Sequence, residues 1–129
     1  MLDTNVVSDF LKGHPAVRAQ LQALRPSEVA VSTVSIMEIE FGLEKNPAAR
    51  TKYAELWNDF LQDVTVLEYD RASAVQTARI RQALNSKGQP IGPYDLQLAG
   101  AALAHRLTLV TNNTAEFSRV EGLNLTDWR

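Results

Sequence analysis

The chain of 129 residues contains no cysteine, so disulfides and thiolate metal sites are both excluded, and a reducing compartment fits. Histidine is almost as scarce. His14 sits between Gly13 and Pro15, and His105 ends an alanine-rich segment; neither has ligand spacing, which disfavours zinc and points both to the surface. No apolar run approaches the ~20 residues that span a bilayer. Glycine-rich phosphate loops and a G-x-S-x-G elbow are missing too. Basic charge is not in excess: the net charge of −2 argues mildly against a broad phosphate-binding surface. Basic residues do gather locally, at Arg18 and Arg25, Arg50 and Lys52, and Arg79, Arg81 and Lys87. Asp3 comes before any charged or apolar leader could, so a cytoplasmic protein is expected. With no repeat, linker or low-complexity tract, the length predicts one domain over residues 1–129.

What is present alternates between short apolar runs and helical patterns. Met1-Leu2 reads as the end of a strand that would ordinarily begin a few residues earlier. Helices are predicted from Asn5 to Lys12, stopped by Gly13 and Pro15, and from Pro15 to Leu24. Glu28 to Ser32 reads as a strand, Ser35 to Glu44 as a helix, and Pro47 to Leu61 as a longer helix with Tyr53, Leu56, Trp57, Phe60 and Leu61 on one side. Val64 to Leu67 is a strand; Asp70 caps a helix to Ser86 whose buried candidates are Val75, Ala78, Ile80 and Leu84. A loop leads to a small-residue helix from Tyr94 or Asp95 to His105, then a strand at Thr108 to Thr111, a helical turn at Asn113 to Phe117 and an edge strand at Leu123 to Thr126. Such alternation implies right-handed crossovers and a parallel sheet covered on both faces.

Four acidic stations follow apolar runs: Asp3, Glu38, Asp95, and Asn113 with Glu116. In a parallel sheet, groups beyond the strands' carboxyl ends meet at one edge, where ligands bind. Singly, each station has a plainer explanation. Asp3 and Asp95 could cap helices, while Ser35-x-x-Glu38 and Asn113-x-x-Glu116 both match the capping box. As a set they point to chemistry. Gly42 lies one turn beyond Glu38 and clears space there at a helix-propensity cost of ~1 kcal/mol. Ala99, Gly100, Ala101, Ala102 and Ala104 would let their helix approach the sheet closely, and Thr4, Asn5, Thr111 and Asn112 offer hydroxyls and amides around the stations.

Two carboxylates about 4–5 Å apart repel by roughly 3–4 kcal/mol at an effective dielectric near 20. Three or four would spread apart or hold protons unless a cation neutralised them. Oxygen ligands with water retained suit Mg²⁺ or Mn²⁺. Other acids fit less well: Glu40 falls on the opposite helix side from Glu38 and is expected to face solvent, like Asp59, Asp63 and Asp127. Phe41, Trp57 and Phe60 are expected in the core or against a partner helix. The residues thus favour metal-assisted phosphodiester hydrolysis, and the lack of a histidine pair disfavours metal-free RNase chemistry.

Four segments together carry a resemblance: Leu-Asp-Thr-Asn-Val at 2–6, Ser-x-x-Glu-x-x-x-Gly at 35–42, Ile-Gly-Pro-Tyr-Asp-Leu-Gln-Leu-Ala-Gly at 91–100, and Val-Thr-Asn-Asn-Thr-x-Glu-Phe at 110–117. In this order and spacing the chain resembles PIN-domain ribonucleases, specifically the VapC-type toxins of bacterial toxin–antitoxin pairs. The resemblance implies a three-layer α/β/α sandwich around a parallel sheet, and a Mg²⁺- or Mn²⁺-dependent endoribonuclease. Asp3, Glu38 and Asp95 would fill the three principal acidic places. Asn113 stands where many PIN domains have aspartate, with Glu116 supplying charge one turn on; one tightly held ion and a weaker second follow. It also implies a homodimer, a cognate VapB-type antitoxin whose tail covers the acidic cleft, contact with DNA only through that antitoxin, and tRNA cleaved in the anticodon region. The alternative from another class is a catalytically silent subunit that binds antitoxin without cutting RNA. A haloacid-dehalogenase phosphatase would need an acid where Asn5 stands and a later lysine motif; a receiver domain would need a paired acidic pocket and a late lysine.

Overall fold

A computed structural model describes residues 1–129. Four short parallel strands, β1 (Ala30–Ser32), β2 (Thr65–Leu67), β3 (Leu109–Val110) and β4 (Leu125–Thr126), form two pairs, β1 with β2 and β3 with β4. The N-terminal residues join them: Leu2 bridges Val31 on one side and Val110 on the other, in parallel register. The sheet order is therefore β2, β1, Leu2, β3, β4, with the N-terminal segment at its centre. The bond from the Leu2 amide to the Ala30 carbonyl (2.9 Å) and that from the Asp3 amide to the Val110 carbonyl (2.8 Å) fix this placement.

Alternation along each strand assigns its side chains to opposite faces. Leu2, Val29, Val31 and Val110 pack on one face against α1 (Thr4–Leu11), α2 (Pro15–Gln22), α3 (Thr33–Lys45) and α4 (Pro47–Asp63), meeting Val7, Val17, Leu43 and Trp57. Met1, Ala30 and Leu109 pack on the other against α5 (Arg71–Ser86), α6 (Pro93–Ala104) and α7 (Thr114–Phe117), meeting Leu84, Leu98 and Phe117. Two apolar cores on one sheet make the expected three-layer α/β/α sandwich. Every strand ends toward the same edge, and Asp3, Ser32 and Thr111 emerge there.

Local sequence explains most boundaries. Gly13, at φ +83°, ends α1 in the left-handed conformation that side chains resist, and Pro15 starts α2 at its first position. Asp70 caps α5 by accepting from the Ser73 amide at 2.9 Å, as the sequence predicts.

Several expectations are corrected. The third helix begins at Thr33 rather than Ser35: its cap is Ser32, whose Oγ accepts from the Val34 amide at 3.1 Å, and one turn of 3-10 helix at Pro26–Glu28 replaces the start of the expected strand. Val75 and Ala78 are exposed, because α5 turns Ile80 and Leu84 inward instead. Trp57 and Phe60 are core residues as expected, while Phe41 is 60% exposed, which excludes the core, one of its two expected places, but not a partner helix. The small residues of α6 serve two contacts: Ala99, Ala101 and Ala102 share the core beneath the sheet with Met1, Ala30 and Leu109, while Gly100 lies against α5. A Cβ on Gly100 would lie 2.8 Å from the Ser73 carbonyl oxygen and closer still to Thr77 Oγ1. Glu40 is not left to solvent: it accepts from the indole of buried Trp57 at 3.0 Å and pairs with Arg50 at 2.8 Å, tying α3 to α4. His105 keeps its expected place at the surface, where its Nε2 stands 3.1 Å from Asp70 Oδ2.

Candidate active site

Asp3 is delivered by the central N-terminal segment and is buried at 3% exposure. Thr111, just past β3, donates its hydroxyl to Asp3 Oδ2 at 2.7 Å. Asp3 stands at the cap position of α1 without a well-formed capping hydrogen bond, although the Thr4 and Asn5 amides lie near its carboxylate. Burial raises its pKa; the Thr111 bond and the Thr4 and Asn5 amides oppose that, while the charge of Glu38 adds to it. A carboxylate so enclosed is strained electrostatically and well oriented.

Glu38 lies midway along α3, facing the start of α1. The Thr4 hydroxyl donates to Glu38 Oε1 at 2.7 Å and stands 2.9 Å from Ser35 Oγ, one turn earlier on α3. Ser35 is fully buried. It is therefore no helix opener, and the capping-box explanation of Ser35-x-x-Glu38 falls with the cap at Ser32. Two polar side chains three residues apart on one helix face were the available sign that Ser35 belongs with Glu38.

Asp95 occupies the first turn of α6, behind Gly92 as cap and Pro93. Its pKa is pushed up to about 6, first by burial, then by the charges of Asp3, Glu116 and Glu38, and by a hydrogen bond with Glu116. Glu116 reaches in from α7 and accepts from Asn113 Nδ2 at 2.6 Å. The Asn113 amide donates to Thr111 Oγ1 at 2.9 Å, so the capping-box explanation fails here as well. Asn113 orients Glu116 and Thr111 orients Asp3. Asn5 and Asn112, the other polar neighbours singled out in the sequence, make no side-chain hydrogen bond; Asn5 lines a neighbouring cavity and Asn112 is half-buried.

Three carboxylates from three other elements thus act on Asp95, and neither histidine is among the groups that perturb Asp3 or Asp95. No three of the acids and histidines form a ready-made cage. Mg²⁺ does not need one, since it commonly keeps several waters and takes one or two carboxylates. The donor set, all oxygen and with the pKa values of Asp3 and Asp95 raised by burial and neighbouring carboxylates, fits a hard divalent cation.

A PIN domain family model matches residues 1–123. The tRNA(fMet)-specific endonuclease VapC of Shigella flexneri is 39% identical over 128 residues, 99% of this chain and 96% of that protein. The chain belongs to the PIN-domain family, among its VapC-type members. DNA-bound VapBC from Salmonella typhimurium holds a chain that superposes with a TM-score of 0.90 at 35% identity, covering 100% of this chain and 97% of that one. VapBC2 from Rickettsia felis, bound to a promoter DNA fragment, gives a TM-score of 0.89 at 29% identity over 100% and 98% of the two chains. In this chain three of the stations carry carboxylates, and at the fourth Asn113 is hydrogen-bonded to Glu116.

Proposed function

We propose that this VapC-type chain is a metal-dependent endoribonuclease toxin, acting in the cytoplasm on tRNA and neutralised by a cognate VapB-type antitoxin. The observation that carries the reading is Asp95, held up to about 6 partly by three other carboxylates. Fold maintenance has no use for such repulsion. A silent antitoxin-binding subunit would have no need of it either. The names of the relatives supply the substrate class, tRNA, and the VapBC assemblies supply the partners: an antitoxin, and operator DNA through it. A second copy of the chain completes the proposed assembly.

Asp3 and Asp95 are the residues that would hold Mg²⁺, or Mn²⁺ in its place, with Glu38 as a third ligand or as the group that orients the attacking water. When bound, the ion lowers the pKa of water and offsets charge growing on the phosphate oxygens. Thr111 fixes Asp3 so that its carboxylate needs little rearrangement. Thr4 holds one Glu38 oxygen, leaving the other to take a proton from water aligned with the scissile bond. Asn113 holds Glu116 beside Asp95, where the pair can keep or release one proton as phosphate charge arrives. Water attack in line leaves a 5′-phosphate and a 3′-hydroxyl.

The test is cleavage of an initiator tRNA transcript by purified, antitoxin-free protein, with and without EDTA. Activity restored by Mg²⁺ or Mn²⁺ and new 5′-phosphate ends are expected. EDTA-resistant cleavage, or a cyclic phosphate product, would overturn the proposal.

A further inference from the structure

A cavity of about 290 Å³ opens between α1, α3 and the start of α4, and Thr4 and Glu38 line it as well as belonging to the acidic cluster. Its floor is apolar, from buried Leu11, Ile39 and Leu43, while Asn5, Ser8, Lys12 and Asn46 stand around its rim. The rim groups are free to bind something. Asn5, Ser8 and Lys12 make no side-chain hydrogen bond, and Asn46 uses only Oδ1, as cap to the Ala49 amide at 3.2 Å, which leaves its Nδ2 to donate.

Gly42 also lines this space. Unlike Gly13, it has no positive φ, and unlike Gly100, a Cβ added to it would meet nothing within 4 Å. Packing therefore gives no reason for glycine there, while the interior of a helix disfavours it by ~1 kcal/mol against alanine. The room it leaves lies beside Glu38. We propose that this cavity is a nucleoside subsite, seating the nucleotide next to the scissile phosphate. The base lies across the apolar floor over Gly42, its polar edges meet Asn5, Ser8 and Asn46, and Lys12 meets an adjoining phosphate. This rests on the RNA-hydrolase reading above.

A nucleoside fits the space better than a segment of antitoxin. An amphipathic helix needs a long apolar groove, whereas the cavity, at about 290 Å³, is just under the roughly 300–1,000 Å³ usual for ligand pockets. The large exposed apolar side chains of α3, Met37 and Phe41, lie outside it.

Gly42→Leu tests the subsite, because its Cβ meets nothing within 4 Å and Gly42 lines the cavity that the longer side chain would occupy. Cleavage of a labelled initiator tRNA transcript should show KM raised by roughly tenfold or more, the scale of a lost base contact, with kcat little changed. Mn²⁺ binding should match the wild type, and the melting temperature should be no lower than the wild type's. Lys12→Gln should raise KM more modestly, and Gly42→Ala should melt higher than the wild type. An unchanged KM in Gly42→Leu overturns the proposal. So does lost Mn²⁺ affinity or a collapsed melt, which would make Gly42 structural, or a defect confined to inhibition by antitoxin. Binding of the same RNA to Asp95→Asn, with and without Gly42→Leu, separates the two readings. Gly42-dependent binding by a chain whose wild type never cleaves sinks the nuclease reading and keeps the subsite.

Discussion

Replacing Asp95 with asparagine should stabilise the metal-free protein, and the size of the effect follows from the site. The Asp95 pKa rises from 3.8 to about 6, chiefly through burial and then through neighbouring carboxylates. A shift of about 2 units corresponds to about 3 kcal/mol at full value. Asp95 is only half-buried, and solvent screening reduces this to about 1–2 kcal/mol. Opposing it, a negative charge in the first turn of α6 is favoured by ~0.3–1 kcal/mol. Repulsion and desolvation win, by roughly 1 kcal/mol. The sign with pH follows from linkage. Between about pH 4 and 6 the folded state holds a proton that the unfolded state has released, so wild-type stability falls as pH rises through this window. Asparagine loses nothing there. In thermal melts with EDTA, Asp95→Asn should therefore melt ~3–6 °C above wild type near pH 7 and level with it below about pH 4. Adding Mn²⁺ should reverse the order at neutral pH, because only the wild type gains the full binding free energy. A variant that melts lower than wild type near pH 7 in EDTA would refute the reasoning and make Asp95 a structural residue.

Other consequences are equally direct. Asp3→Asn should retain its fold yet cut RNA at least ~100-fold more slowly, given that losses even around metal ligands cost 10–100-fold; cleavage within a few-fold of wild type would remove Asp3 from the site. Gly100→Ala should destabilise by about 1–3 kcal/mol in urea melts despite its better helix propensity, since the added Cβ meets the Ser73 carbonyl at 2.8 Å. A neutral result there would mean that α5 and α6 separate easily. Glu40→Ala should cost about 1–3 kcal/mol by the same measurement, leaving the indole of Trp57 buried without an acceptor; no loss would show that water replaces the carboxylate.

The order and type of the elements were written into the chain because local causes set them. Gly13 and Pro15 stop one helix and start the next, Asp70 caps α5, and the paired apolar residues of the short strands serve both faces of a sheet. Among the acidic stations, Asp3 and Asn113 come just after strands that end at one edge, whereas Glu38 and Asp95 arrive there on α3 and α6.

Partnership was decided only by tertiary contact. Ser35 could not be told from a cap until Ser32 took that role, and Glu40 could not be separated from a solvent charge until α4 placed Trp57 against it. The small residues of α6 announced a close approach to the sheet, but not that Gly100 among them would lie against α5. Sequence spacing fixes which face of an element a side chain occupies. What stands opposite, 31 residues away for Thr4 and Ser35 or 108 for Asp3 and Thr111, depends on how the layers close, because these interactions form across the packed interior rather than along the chain.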